Sequence, residues 1–253
     1  MQDTFSIRVR GVDITVNMPD RVRLLEDVRA RLRAGRGFAI ATLNLDHMVK
    51  LRRVPGFSDA YRRQDLVTAD GNPIVWLSRL AGRPVSLVPG SELVEPLAAL
   101  AAEEGQPVAL LGSTEAALER AARYLSASSP GLRIVARLVP GRGFDPAGPE
   151  ADAMIEALGA SGARLTFLAL GAPKQEMFAA RCREALPGIG LVSVGAGLDF
   201  LARTQRRAPE WVRRAALEWL WRALTDPRRL ARRYAECAMA LPGLALGVAL
   251  TRG

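Results

Sequence analysis

Histidine, cysteine and lysine are nearly missing from this chain. His47 stands alone, Cys182 and Cys237 are the only thiols, and Lys50 and Lys174 are the only lysines among 253 residues. One imidazole and two distant thiols are too few for a zinc centre or a disulfide framework, and they suit a reducing, cytosolic setting. Long hydrophobic runs are missing as well. The longest near the C-terminus, 238–250, spans about 13 residues and is interrupted by Pro242 and Gly243, short of the ~20 that a spanning helix needs. An encounter with a membrane is therefore expected at its surface. The N-terminal MQDTFSIRVRGVDITV alternates polar and apolar residues like a strand pair and lacks the apolar core of a signal peptide.

Several nucleotide-binding signatures are also absent. No G-x-G-x-x-G follows the first strand, there is no Walker A sequence, and no D-x-D offers a divalent metal a carboxylate pair. These absences argue against a dehydrogenase and favour a site without metal or cofactor, where phosphate charge is met by amides and by Arg or Lys.

What the chain does have is apolar residues, at 49% enough for a large core, and arginine. Arginine and alanine are abundant throughout, which reads as genome base composition and discounts the high overall basicity. The clustering is another matter. Arg206–Tyr234 reads RRAPEWVRRAALEWLWRALTDPRRLARRY, with nine Arg, three acids and three of the four Trp, and holds +6 of the +9 net charge. Charge gathered in so short a segment implies an anionic partner, and Trp interleaved with Arg on helices fits a membrane surface or a nucleic acid.

Along the chain, a hairpin is expected over 4–17 and a helix opening at Pro19 and Asp20 and closing at Gly35. A buried strand, GFAIATLN, follows at 37–44. Further strands are expected at 65–69, 107–112, 132–139, 164–170 and 189–195. Helices are expected at about 45–53, 73–81, 91–103, 114–127, 149–160 and 173–185. Apolar strands alternating with helices indicate an α/β fold with a mostly parallel, Rossmann-like sheet covered on both faces. Such sheets bind ligands at the carboxyl ends of their strands. Small and polar residues collect there: Thr42 and Asn44, Asp70 and Gly71, Gly112 and Ser113, Gly171 to Glu176, and Gly195 to Asp199. Five strand ends converging suit a nucleotide phosphate on backbone amides, although Gly and Asp serve ordinary turns equally well.

With a single His, the acid-base candidates are carboxylates. Asp70, ending a strand in V-T-A-D-G, can take a proton from an attacking hydroxyl or, more plainly, form an Asx turn or cap the following helix. Asp199 in G-L-D-F-L can accept from a base or ribose edge or serve as a cap. Gln175 and Glu176 open a helix behind Pro173, and Lys174 is either a point charge for phosphate or a solvated lysine. His47 reads as a helix-surface or packing residue.

In order, T-L-N at 42–44, A-D-G at 69–71, G-S-E-L at 90–93, L-G-A-P-K-Q-E at 170–176, V-G-A-G-L-D-F-L at 194–201, and R-A-P-E-W-x5-L-E-W-L-W-R-x3-D-P-R-R-L-x-R-R-Y from 207 resemble the WecG/TagA/CpsF glycosyltransferases. The resemblance covers nearly the whole chain. It implies a metal-independent, inverting enzyme that moves a hexose or N-acetylhexosamine-type sugar from a UDP-sugar to a polyprenyl-diphosphate-linked saccharide, peripheral on the cytoplasmic face of the cell membrane, in cell-surface polysaccharide synthesis. By the same resemblance Asp70 matches the general base, and Thr42 and Asn44 match pocket residues near the transferred sugar or acceptor. Gln175 and Asp199 match donor-side positions, Asp199 toward the uracil, while Arg222, Arg229 and Arg232 match tail arginines that stabilise the diphosphate leaving group. Gly71, Gly112, Lys174, Gly171 and Gly195 complete the expected substrate-binding set. The chain departs from the family pattern at Leu87, where Arg is common, at Glu92 for Asp, at Arg203 for the Gly of F-L-A-G, and at Ala216 for Gly.

Residues 1–202 are thus expected to form the catalytic core and 203–253 a basic, Trp-rich helical appendage. Pro209 should open one appendage helix and Pro227 a second, capped by Asp226, with Leu230, Tyr234, Cys237 and Leu241 on one face. One face can meet lipid or the core, the other phosphates, and an apolar tail that covers lipid can also bury itself between subunits as a homo-oligomer. Two rivals remain at this stage: a nucleic-acid-binding protein using the Arg/Trp tail, which leaves the loaded strand ends without purpose, and a catalytically silent sugar-nucleotide-binding subunit.

Overall fold

The structure, a computed structural model, describes residues 4–205, 208–209, 211–212, 221 and 227–250, with only the backbone described for 227–232. The N-terminal hairpin pairs β1 (Phe5–Val9) with β2 (Val12–Val16) in antiparallel register. Helix α1 (Arg21–Arg33) follows, its first turn capped by the Asp20 carboxylate, which accepts from the Arg23 amide at 2.8 Å. The sheet is built from β3 (Phe38–Leu43), β4 (Leu66–Ala69), β5 (Val108–Gly112), β6 (Ile134–Leu138), β7 (Leu165–Ala169) and β8 (Gly190–Ser193). Between and after these strands run α2 (Leu45–Arg53), α3 (Phe57–Arg62), α4 (Asn72–Leu80), α5 (Val94–Glu103), α6 (Glu115–Ser128), α7 (Pro149–Ser161), α8 (Lys174–Ala185), α9 (Gly197–Leu201) and α10 (Pro227–Leu250).

All six strands of the main sheet run parallel in the order β4-β3-β8-β7-β5-β6. Every residue of β3, β4, β5, β7 and β8 is buried, whereas the edge strand β6 alternates half-buried with exposed. A parallel strand covered on both faces has no solvent side, which explains why the inner strands read as unbroken apolar runs. Phe38 and Ile40 face a core shared with Leu24, Leu97, Leu118 and Leu198. Their neighbours Ala39 and Ala41 face the opposite side, toward α7 and α8 and toward α2 and α4.

Three local differences from the sequence expectation have physical causes. Helix α3 forms where no element is expected, because Phe57 and Tyr61 bury themselves edge-on against each other and against His47. The expected helix from 91 begins instead as a 3-10 turn, Gly90–Glu92, before α5. And α10 runs unbroken through Pro242. A proline within a helix removes one hydrogen bond and crowds the preceding turn. Here its ring lies on the exposed side while Cys237, Leu244 and Val248 on either side of it are buried, the last two in the cluster that holds Phe5, Ile7 and Leu51. No helix among the described residues is long and apolar enough to cross a membrane.

Candidate active site

The carboxyl ends of β3 and β4 bring Thr42, Asn44 and Asp70 together. Asp70 Oδ2 receives Thr42 Oγ1 and Asn44 Nδ2, each at 3.4 Å. Asn44 is held by its second task, since its Oδ1 accepts from the His47 amide at 2.9 Å and caps α2. Helix α4 follows Gly71 (φ 107°), its N-cap residue, which has no side chain to cap the first turn. Asp70 is half-buried at the carboxyl end of β4.

Across the crevice, β7 and β8 are stitched by Gln175, which is 3% exposed. Its Oε1 accepts the Gly195 amide at 3.1 Å and its Nε2 donates to Glu176 Oε1 at 2.8 Å. Both ends of the amide thereby serve the protein. Glu176 is fully buried, and that burial pushes its carboxyl up to about 7. The turn from Gly171 (φ 69°) through Pro173 opens α8, again without a side-chain cap, and leaves Lys174 half-buried with no ion pair among the described residues. The N-termini of α4 and α8 therefore lie at the same end of the sheet; Ile74 and Gln175 spend their amides on the Gly71 and Gly171 carbonyls, at 3.2 and 3.1 Å, and both helix dipoles favour an anion there.

The β5 end completes the crevice. Gly112 (φ 113°) must be glycine, because a Cβ there would lie 2.4 Å from the Ala169 carbonyl oxygen of β7. Ser113 follows, also at positive φ (56°), and its Oγ donates to Asp199 Oδ1 at 2.5 Å. Asp199 accepts further from Thr204 Oγ1 at 3.2 Å and Gln205 Nε2 at 3.3 Å. The Gly90–Glu92 turn lies over the ends of β3 and β8, so close that a Cβ on Gly90 would meet the Ser193 carbonyl oxygen at 2.8 Å and Thr42 Oγ1 at 3.1 Å. Just before it, Leu87 is 42% exposed and bridges to Ala69, beside Asp70.

A model of the glycosyl transferase WecG/TagA/CpsF family matches residues 8–252. The chain belongs to this family. It is thus a transferase, and membership implies in general terms a nucleotide-sugar donor and a lipid-linked acceptor.

Within the enzyme, Thr42, Asn44, Asp70, Gly71, Gly112, Gly171, Lys174, Gln175, Gly195 and Asp199 all follow or end strands at the carboxyl end of the sheet. Arg222 lies outside the described residues, as do Asp226 and the body of the first appendage helix; Arg229 and Arg232 fall on the described backbone of α10, without side chains. His47 is a packing residue: it is 4% exposed, its Nδ1 lies 3.4 Å from Tyr61 Oη, and burial pushes its imidazole down to about 3. Two partners escaped the sequence reading as functional residues, Ser113 behind Asp199 and Glu176 behind Gln175. Their positions after strand ends were visible, but the pairing depends on which strands are neighbours. Lys50 was missed altogether. Lysine scarcity drew attention to Lys174, yet it is Lys50 Nζ that donates to the Ala172 carbonyl in the same turn, at 2.9 Å.

Proposed function

We propose that this glycosyltransferase moves a hexose or N-acetylhexosamine-type sugar from a UDP-sugar to a polyprenyl-diphosphate-linked saccharide by a single inverting displacement, without a metal. The observation that carries this reading is Asp70: a carboxylate at a strand end, met by Thr42 and Asn44, at the end of the sheet where α4 and α8 begin. The acceptor hydroxyl gives its proton to Asp70 as its oxygen forms a bond to the anomeric carbon. The bond from that carbon to the β-phosphate oxygen breaks from the opposite face, and UDP leaves with the electron pair. The positive end of the α8 dipole, Lys174, and Arg222, Arg229 and Arg232 of the appendage meet the charge that develops on the diphosphate. Asp199, held by Ser113, offers an acceptor to the imide N–H of the uracil.

Residues 203–253 act as the appendage that brings these arginines to the crevice and holds the enzyme on the inner membrane surface. Each basic residue near an anionic leaflet contributes about 1 kcal/mol, so several of the nine arginines in 206–234 suffice for reversible attachment. The test is a chain ending at Gln205, assayed for UDP release and for flotation with anionic liposomes. Loss of both supports the reading; retained flotation removes the membrane role of the appendage, and retained turnover removes its arginines from the chemistry.

A further inference from the structure

Helix α2 carries more than Asn44. Its first turn places Asp46 between two cations. Lys50, one turn on, lies 2.8 Å from Asp46 Oδ2, and Arg233 of α10 brings its Nε to 3.8 Å from Asp46 Oδ1. Lys50 is half-buried and its second contact is the donation to the Ala172 carbonyl at 2.9 Å. Arg53, at the far end of the same helix, pairs with Glu236 of α10 at 2.7 Å. The apolar contacts follow the same line, because Ala172, Leu45, Leu241, Leu244 and Val248 share one cluster. A continuous chain thus runs from α10 through Arg233, Asp46 and Lys50 to the Ala172 carbonyl. That carbonyl lies within the α8 turn whose Gln175 amide closes on the Gly171 carbonyl at 3.1 Å and whose Gln175 side chain holds Gly195.

We infer that Asp46 and Lys50 are a positioning pair that makes the shape of the Gly171–Gln175 turn depend on the seating of α10. Charge accounts for the dependence. Asp46 is one anion shared between two cations; with Arg233 in place it is neutralised from the α10 side and holds Lys50 at the orientation that reaches Ala172. When α10 lifts, Asp46 is left with Lys50 alone and draws the ammonium, on its flexible stem, more strongly to itself and away from the Ala172 carbonyl. The helix that bears Arg229 and Arg232 would then act on the donor side by two routes, through arginines brought to the diphosphate and through α2 beneath it. Coupling of this kind requires an element that both ends bias, and α2 is packed against α10 along its length while its N-cap residue Asn44 touches Asp70. This inference rests on reading the Gly171–Gln175 turn as donor-side.

The experiment compares full-length wild type with Lys50→Met, Lys50→Arg, Arg233→Gln and the Lys50→Met/Arg233→Gln double variant. Amide hydrogen exchange is followed at Gln175, Met177 and Gly195, and UDP affinity is measured alongside with melting temperature as the check on global folding. Lys50→Met is expected to speed exchange at these amides about tenfold, the loss of one charge-assisted hydrogen bond. Arg233→Gln is expected to do so severalfold, and the double variant to exceed Lys50→Met by nothing further, because both act along one chain. Lys50→Arg, which keeps a cation and donors, should restore exchange to near wild type. Wild-type exchange in Lys50→Met, or single effects that multiply in the double variant, overturns the coupling. UDP affinity should fall in Lys50→Met and Arg233→Gln alike; a wild type that binds no UDP but shows the exchange pattern keeps the coupling and removes the donor-side reading.

Discussion

Arg203 stands at a left-handed position where the family resemblance implies glycine. Asp199–Thr204 closes α9 with the Thr204 amide donating to the Asp199 carbonyl at 3.0 Å and the Arg203 amide to the Phe200 carbonyl at 3.1 Å. That is the Schellman pattern, whose C′ position is left-handed and usually glycine. Arg203 fills it at φ 54°. A side chain in this region costs roughly 1–2 kcal/mol, partly offset because glycine would lose more chain entropy on folding. Arg203→Gly should therefore stabilise the protein by about 0.5–1 kcal/mol, raising Tm by about 2 °C, which calorimetry can read. The family resemblance supplied the glycine at this position, but no local pattern in the sequence marks 203 as left-handed. The same limit applies to Ser113, which reaches Asp199 only because β5 and β7 are neighbours and α9 folds back over them.

At the scale of elements, the seam between α8 and β8 shows how burial turns into pH dependence. Glu176 is fully buried and burial raises its carboxyl from 4.5 to about 7, while Gln175 opposes the rise. The native state thus keeps a proton that the unfolded chain has already lost. Its contribution to stability is complete below about 4.5 and disappears as pH rises through about 7. Glu176→Gln should gain on wild type across that window, by about 3 kcal/mol at pH 8, in urea denaturation followed at several pH values. His47 works in the other direction. Buried and neutral, with its imidazole lowered from 6.5 to about 3, it supplies stability above 6.5 that is lost as pH falls toward about 3. In Glu176→Gln that acid limb should stand out, because the opposing carboxyl is gone. Most elements were legible in the sequence, since strands buried on both faces leave unbroken apolar runs and Asp20 marks the start of α1. Helix α3 was not, because its formation depends on a ring cluster with His47, and neither was the continuity of α10 through Pro242, which depends on the surface that receives Leu244 and Val248.

For the whole molecule, the parallel order β4-β3-β8-β7-β5-β6 sets five loaded strand ends side by side, and the appendage helix α10 docks beside them on α2 and on the N-terminal hairpin. Separated in sequence, the Thr42, Asp70, Gln175 and Asp199 motifs lie at one end of the sheet because its strands are all parallel. Of the basic segment 206–234, the described Arg233 brings its Nε to 3.8 Å from Asp46 Oδ1 on α2. The central claim is that Asp70 takes the acceptor proton, and the most direct measurement is the rate of UDP release by Asp70→Asn with a UDP-sugar and a polyprenyl-diphosphate-linked saccharide. The amide keeps the size and the contacts to Thr42 and Asn44 but removes the base, so kcat should fall by about 10²–10⁴ while UDP affinity stays within a few-fold of wild type. Turnover at the wild-type rate in Asp70→Asn would contradict the account.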